Sequence, residues 1–233
     1  MQAFDSLSRD IQQYIYDKGW PSLTSIQNAA IKQVANTDHN LILSAPTASG
    51  KTEAAFIPAL NSVEDWETGL KVLYVSPLKA LINDQFQRIS ELSEYLDIPI
   101  TRWHGEVSQT QKRKVVNQPK GILLITPESI EGMLVNRPGE AEHLFKGVEW
   151  IIIDELHSFL GTERGIHLQS LLQRISRFMQ APRFIAMSAT LNKKDFGYAK
   201  AFFGSPRHTD ILVDRDKNDL FITIDYTSGE AGP

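Results

Sequence analysis

Residues 41–52 read Leu41-Ile42-Leu43-Ser44-Ala45-Pro46-Thr47-Ala48-Ser49-Gly50-Lys51-Thr52. A short apolar run, the length of a buried strand, gives way to a turn of small residues that closes on Gly-Lys-Thr. The turn opens into Ala54-Ala55-Phe56-Ile57, an apolar helical stretch. A strand, a turn and a helix in that order gather backbone N–H groups at a helix N-terminus, where they converge on phosphate oxygens. Gly50 lets the backbone approach closely, Lys51 can neutralise the β and γ phosphates, and Thr52 offers a hydroxyl to magnesium. Thr47, Ala48 and Ser49 complete the cradle. Ala45 stands where the common pattern has glycine. The bland alternative is a chance Gly-Lys-Thr in a turn, with Thr52 as an N-cap. The flanking strand and helix argue against it, so the stretch predicts binding of a nucleoside triphosphate.

Similar apolar runs recur at 72–75, 122–125, 150–153 and 184–187. None alternates cleanly, as expected of strands covered on both faces. Between them lie helical spacings: Leu168, Leu171, Leu172, Ile175 and then Phe178 or Met179, and earlier Leu78, Leu81, Ile82, Phe86 and Ile89. Strands alternating with helices predict an α/β fold, a mostly parallel sheet with helices on both faces. Each strand is followed by small or polar residues: 44–52, Ser76-Pro77, Thr126-Pro127-Glu128, Asp154-Glu155 and Ser188-Ala189-Thr190. Ligands of open parallel sheets bind outside the carboxyl ends of the strands, so these clusters predict one composite site.

Ile151-Ile152-Ile153-Asp154-Glu155-Leu156-His157 has the form of a strand ending in an acidic pair. Asp154 can hold magnesium directly or through water, and Glu155 can orient and activate the attacking water. The alternative is a solvated acidic helix start. His157 either bridges the nucleotide to Ser188-Ala189-Thr190 or is a satisfied polar residue. No second histidine or carboxylate stands at metal-ligand spacing from it, so no histidine-based metal site is expected.

Together these segments resemble the first RecA-like domain of superfamily-two DNA and RNA helicases, over residues 4–226. The phosphate loop 45–52 matches motif I, and Ser76-Pro77-Leu78-Lys79-Ala80-Leu81 matches motif Ia. Thr126-Pro127-Glu128-Ser129 matches motif Ib, 154–157 matches the D-E-x-H form of motif II, and Ser188-Ala189-Thr190 matches motif III. Upstream, Gly19-Trp20 with Thr24, Ile26 and Gln27 resembles the adenine-reading Q-motif, with Leu23 where proline is usual. The run 156–168 looks most like the large helicase-related (Lhr-like) group.

The resemblance implies a P-loop NTPase (RecA-like) fold with ATP and Mg2+ as cofactors. It assigns catalysis to Glu155, Lys51 and His157, metal binding to Thr52 and Asp154, and adenine to Gln27. It places Ser76, Lys79 and Thr126 on the phosphates of one nucleic-acid strand, and coupling at Ser188 and Thr190. Trp103-His104-Gly105-Glu106 is similar to a further segment that turns close to the strand; Lys112-Arg113-Lys114 reads rather as a solvated helix face. Arg164 and His167 either line the nucleic-acid side or are structural.

The activity implied is ATP-dependent helicase or translocase movement along one strand, DNA favoured and 3′ to 5′. It needs a second RecA-like domain, whose arginine finger contributes roughly 10³–10⁵ in rate in related systems. No segment after Thr190 resembles such a domain, so this chain is expected to hydrolyse ATP weakly or not at all. The competing function is a nucleotide-gated nucleic-acid-binding or interaction module without turnover. A P-loop ATPase with no nucleic-acid role would leave 76–81 and 126–129 unexplained.

Composition narrows the setting. The 233 residues are 42% hydrophobic and 22% charged, ordinary for a folded domain. There is no cysteine, which removes disulfide frameworks, thiolate metal sites and cysteine nucleophiles. No apolar run approaches membrane-spanning length and no signal peptide is visible, so a cytoplasmic address and no membrane partner are expected. The net charge of −4 means that nucleic acid would be held by a local groove, not by a positive overall field. The domain is expected over 1–213, an edge strand and linker towards a second domain over 214–226, and a frayed tail over 227–233. Within that tail region the reading is a strand, a charged turn at 214–218 and a second strand at 220–224.

Overall fold

The computed structural model describes residues 3–216 and 219–223. Its strands and helices run α1 (Arg9–Asp17), α2 (Ser25–Asn36), β1 (Asn40–Ser44), α3 (Lys51–Ser62), β2 (Gly69–Val75), α4 (Lys79–Tyr95), β3 (Ile100–Trp103), α5 (Gln109–Asn117), β4 (Lys120–Ile125), α6 (Pro127–Asn136), α7 (Pro138–Phe145), β5 (Trp150–Ile153), α8 (Glu163–Ser176), β6 (Arg183–Ser188), α9 (Phe196–Ala201), β7 (Thr209–Asp216) and β8 (Asp219–Thr223). They form one sheet in the order β3-β4-β2-β5-β6-β1-β7-β8. The first seven strands are parallel, and β8 pairs antiparallel with β7.

The absence of alternation in the strand sequences has its cause in two cores. Leu41, Leu43 and Ile152 pack under α1 to α4, whereas Ile42, Ile151 and Ile153 pack under α6 to α9. Successive residues of a strand point to opposite faces, and here both faces are covered. Helix starts follow local chemistry. Thr24 and Gln27 form a reciprocal capping box on α2, Thr126 caps α6 ahead of Pro127, and Thr162 caps α8.

The five apolar runs each became a strand, and the two helical spacings became α4 and α8. One further strand carries no signal in the sequence, and one strand expectation needs correcting. The segment Ile100-Thr101-Arg102-Trp103 is an edge strand, half-buried along most of its length, so it lacks the apolar run that marks the central strands. The strand expected to turn at Asp214 and to lie at the edge runs on to Asp216 and sits between β1 and β8. The 213/214 division therefore falls inside β7. Lys217 and Asn218 of the expected turn, and residues 224–233, lie outside the described residues. Among the described residues no helix is long and apolar enough to cross a membrane.

Candidate nucleotide site

The sheet order explains how distant motifs meet. Strand β6 lies between β1 and β5, so Ser188 at its end is flanked by the phosphate loop on one side and the acidic pair on the other. The predicted composite site is therefore assembled at the carboxyl edge, by strands far apart in the chain.

The phosphate loop closes on α3 with Gly50 as its N-cap at φ 84°, a left-handed conformation. A Cβ there would stand 2.5 Å from Gln27 Nε2, so glycine answers both the backbone angle and the close approach. Ala48 is also left-handed, at φ 62°. Lys51 Nζ donates to the carbonyl oxygens of Ala45 and Pro46. Burial pulls the Lys51 pKa below its ordinary value, with Glu155 and Asp154 opposing and Arg88 adding to the shift. Thr52 is buried, and its hydroxyl donates to Gln85 Oε1 at 3.2 Å.

Asp154 is buried at the tip of β5. Its Oδ2 accepts the hydroxyl of Tyr74 on β2, and its Oδ1 accepts the Glu155 N–H at 2.9 Å. Burial raises the Asp154 pKa, and the Tyr74 bond works against that rise. Glu155 is left-handed, at φ 50°, which turns its side chain away from the strand direction. Its carboxylate lies 3.2 Å from His157 Nδ1, and the same nitrogen lies 3.4 Å from Ser188 Oγ. Ser188 in turn donates to the Thr190 carbonyl at 2.8 Å. Acidic pair, histidine and Ser-Ala-Thr segment thus form one connected chain of polar contacts.

Two adjoining hollows share Ala48, Gly50 and Arg88. One, about 140 Å³, is lined by Thr47, Lys51, Thr52, Asp154 and Glu155. The other, about 500 Å³, is lined by Trp20, Thr24, Gln27 and Ser49. Phosphates suit the first and a base the second, since Trp20 offers a ring face. Gln27 is only 4% exposed, and both ends of its amide are engaged: Oε1 accepts the Thr24 N–H at 2.9 Å and Nε2 donates to the Gly50 carbonyl at 3.4 Å. A base reader at this position would have to exchange one of these bonds for the base edge, and the capping box with Thr24 is already formed.

The proposed strand-contact residues divide. Lys79 is exposed, with Nζ 3.3 Å from Glu106. Ser76 is fully buried, and Thr126, 5% exposed, spends its hydroxyl on Ser129 as the α6 cap. Both side chains are buried, unlike that of Lys79. Each lies at a strand-to-helix turn, Ser76 after β2 and Thr126 after β4. Arg164 is a clamp. It donates to the Pro77 carbonyl and twice to Glu128 Oε1, at 3.0 and 2.6 Å, tying the segment after the acidic pair to the turns that follow β2 and β4. His167 and Arg174 both meet Glu131 of α6, so they too are structural. His104 is buried, and burial lowers its pKa.

Sequence reasoning missed Tyr74, Gln85 and Arg88. Tyr74 reads as one more core residue of β2, and its hydroxyl alone hints at a buried partner. Gln85 and Arg88 are three apart on α4, hence on one face, but no motif marks them.

The sequence model of the DEAD/DEAH box helicase family matches residues 24–196. The ATP-dependent helicase Lhr-Core of Methanocaldococcus jannaschii is 30% identical over 209 residues, covering 82% of this chain and 24% of that protein. The Lhr helicase/uracil glycosylase of Escherichia coli is 32% identical over 214 residues, 81% of this chain and 13% of that protein. Among solved structures, the Mycobacterium smegmatis helicase Lhr bound to ssDNA and AMP-PNP superposes with a TM-score of 0.80 at 27% identity, over 92% of this chain and 28% of that one. The DUF1998 helicase MrfA bound to DNA gives 0.78 at 28%, over 90% and 30%. The fold is RecA-like, and the chain belongs to the DEAD/DEAH box helicase family. It spans about a quarter or less of the length of these two curated relatives.

Proposed function

We propose that the chain is the ATP-binding domain of an ATP-dependent helicase or translocase that acts on DNA and moves 3′ to 5′. The observation that carries this is the polar chain from Asp154 and Glu155 through His157 to Ser188, with Lys51 and Thr52 lining the same cleft. It joins a phosphate site to the segment that follows β6, which is what a machine coupling hydrolysis to movement requires.

The residues fit ATP and Mg2+. The left-handed Gly50 leaves room for close approach, and the Ser49 hydroxyl is buried with no hydrogen-bond partner among the described residues. The hydroxyl of Thr52 and the carboxylate of Asp154 are hard oxygen donors of the kind magnesium takes. Mg2+ bound with the nucleotide would neutralise charge on the β and γ phosphates. Lys51 would meet the same phosphates, and Glu155 would orient the attacking water and accept its proton. Trp20 would pack on the base while Gln27 exchanges its Gly50 bond for the base edge. Lys79 and the backbone of the turns after β2 and β4 would hold strand phosphates, positioning without reading sequence.

DNA and the polarity rest on the likeness to Lhr helicases and on the DNA seen with Lhr and MrfA. Turnover by this reading needs a second RecA-like domain, facing the carboxyl edge of the sheet and supplying an arginine. A domain boundary near the end of β7 and a cytoplasmic address, which suits a chain without cysteine, belong to the same reading.

The test is ATPase rate, with and without single-stranded DNA or RNA, on this chain and on a longer one carrying the following domain. Stimulation by DNA in the longer chain alone supports the reading. Nucleotide binding without turnover in either would instead indicate a nucleotide-gated module.

A further inference from the structure

At the opposite edge of the sheet, away from the nucleotide cleft, two histidines and an aspartate converge. His39 directly precedes β1, His208 directly precedes β7, the strand paired with β1, and Asp210 is the second residue of β7. His39 Nδ1 is 2.7 Å from Asp210 Oδ2, and His208 Nε2 is 3.2 Å from Asp210 Oδ1. One nitrogen from each ring and a carboxylate oxygen all lie within 4.8 Å of one another. We propose that His39, His208 and Asp210 bind a divalent transition metal, and we assign it as zinc.

The donor set is the first argument. Two imidazoles and one carboxylate suit zinc and its neighbours far better than magnesium or calcium. Tetrahedral bonds of about 2.0–2.1 Å set ligand atoms about 3.3 Å apart, so the 2.7 and 3.2 Å histidine–aspartate contacts would widen slightly and the ligand atoms now up to 4.8 Å apart would draw together around an ion. Burial is the second. The Asp210 side chain is 3% exposed and, among the described residues, meets only the two imidazole rings and the Gln33 amide, so a cation held between the rings would compensate a buried carboxylate. The two rings are about a third exposed, leaving a side open for water as a fourth ligand.

Support around the site is the third. Gln33 Nε2 donates to Asp210 Oδ2 at 2.5 Å, the kind of outer contact that orients a ligating carboxylate. The His39 carbonyl accepts Arg183 Nη2 at 2.9 Å, and the His208 carbonyl accepts the Asn40 N–H at 2.8 Å. Both ligand-bearing backbones are therefore fixed by groups that are not ligands. The nearby cations are held elsewhere: Arg207 on Asp38, Arg183 on the His39 and Val34 carbonyls and over the Trp150 ring.

The experiment is equilibrium dialysis of the untagged 233-residue chain against Zn2+, with bound metal measured by mass spectrometry, and Co2+ substituted for its visible spectrum. One Zn2+ per chain is expected, with a four-coordinate Co2+ band and a rise in Tm on adding Zn2+. Asp210→Asn, His39→Gln and His208→Gln should each weaken binding by at least about tenfold and remove the Tm rise. Asp154→Asn should leave both in place, which separates this site from the nucleotide cleft. Near-ultraviolet circular dichroism without metal checks that each variant is folded. No binding by the wild-type chain, or affinity unchanged in the folded ligand variants, would overturn the assignment.

Discussion

Gln27 Nε2 and the Gly50 carbonyl are joined across 3.4 Å, binding the start of α2 to the last turn of the phosphate loop. The segment that would read the base and the segment that would hold the phosphates are thus mechanically linked before any ligand arrives. Gly50→Ala should break this link. A non-glycine residue at φ 84° costs about 1–2 kcal/mol, and its Cβ would displace the Gln27 amide. Expected are a lowered denaturation midpoint and loss of nucleotide affinity, read by denaturant titration and fluorescent ATP-analogue binding.

Lys51 and Glu155 should separate binding from chemistry. Removing a charge-assisted contact costs about 1.5–3 kcal/mol, so Lys51→Ala should weaken nucleotide binding by at least about tenfold. Glu155→Gln keeps the side chain's shape but not its basicity. It should spare ATP affinity and lower turnover by about 10²–10⁴ in a longer chain that hydrolyses ATP. Undiminished turnover would put the catalytic carboxylate elsewhere.

The raised pKa of Asp154 carries a pH signature. Because the folded pKa lies above the unfolded value near 3.8, this group's stabilising contribution is complete below that value. It is lost as pH rises through the folded pKa, and at neutral pH the buried, ionised carboxylate opposes folding. The stability of Asp154→Asn relative to wild type should therefore increase from about pH 4 to about pH 8, measured by urea unfolding without Mg2+. Tyr74→Phe removes a donor to the buried carboxylate and should cost about 1–3 kcal/mol at neutral pH.

Arg164→Ala tests the clamp. Its side chain is 36% exposed, so loss of the Glu128 pair should cost less than about 1 kcal/mol of stability. The same change frees the turns at Pro77 and Glu128 from the segment after Glu155. In a longer chain, nucleic-acid stimulation of ATPase should fall while basal nucleotide affinity holds, as paired kinetic and binding titrations would show.

The central strands and the phosphate loop were legible in the sequence because each carries a local signature. Residues 41–52 contain their own strand, turn and helix start, and Asp154-Glu155 directly follows an apolar run. What local pattern could not reveal was anything set by sheet order. Ile100–Trp103 is an edge strand with mixed burial, and β7 acquires an outer neighbour only once β8 folds back on it. Ser76 and Thr126 occupy motif positions, yet their burial depends on the helices packed over them. His39 and His208 are remote in sequence, and only the pairing of β1 with β7 brings them to one carboxylate.

Strand β1 has β6 and β7 as its neighbours, and both come from the last quarter of the described chain. On a ribosome the phosphate loop therefore emerges long before the strands that hold it in register. Until β6 leaves the exit tunnel β1 exposes two unpaired edges, and one of them stays open until Thr209 and its successors follow, a state prone to misassociation. The nucleotide site is in this sense written first and finished last, and ATP can assist folding only near the end of the domain's synthesis.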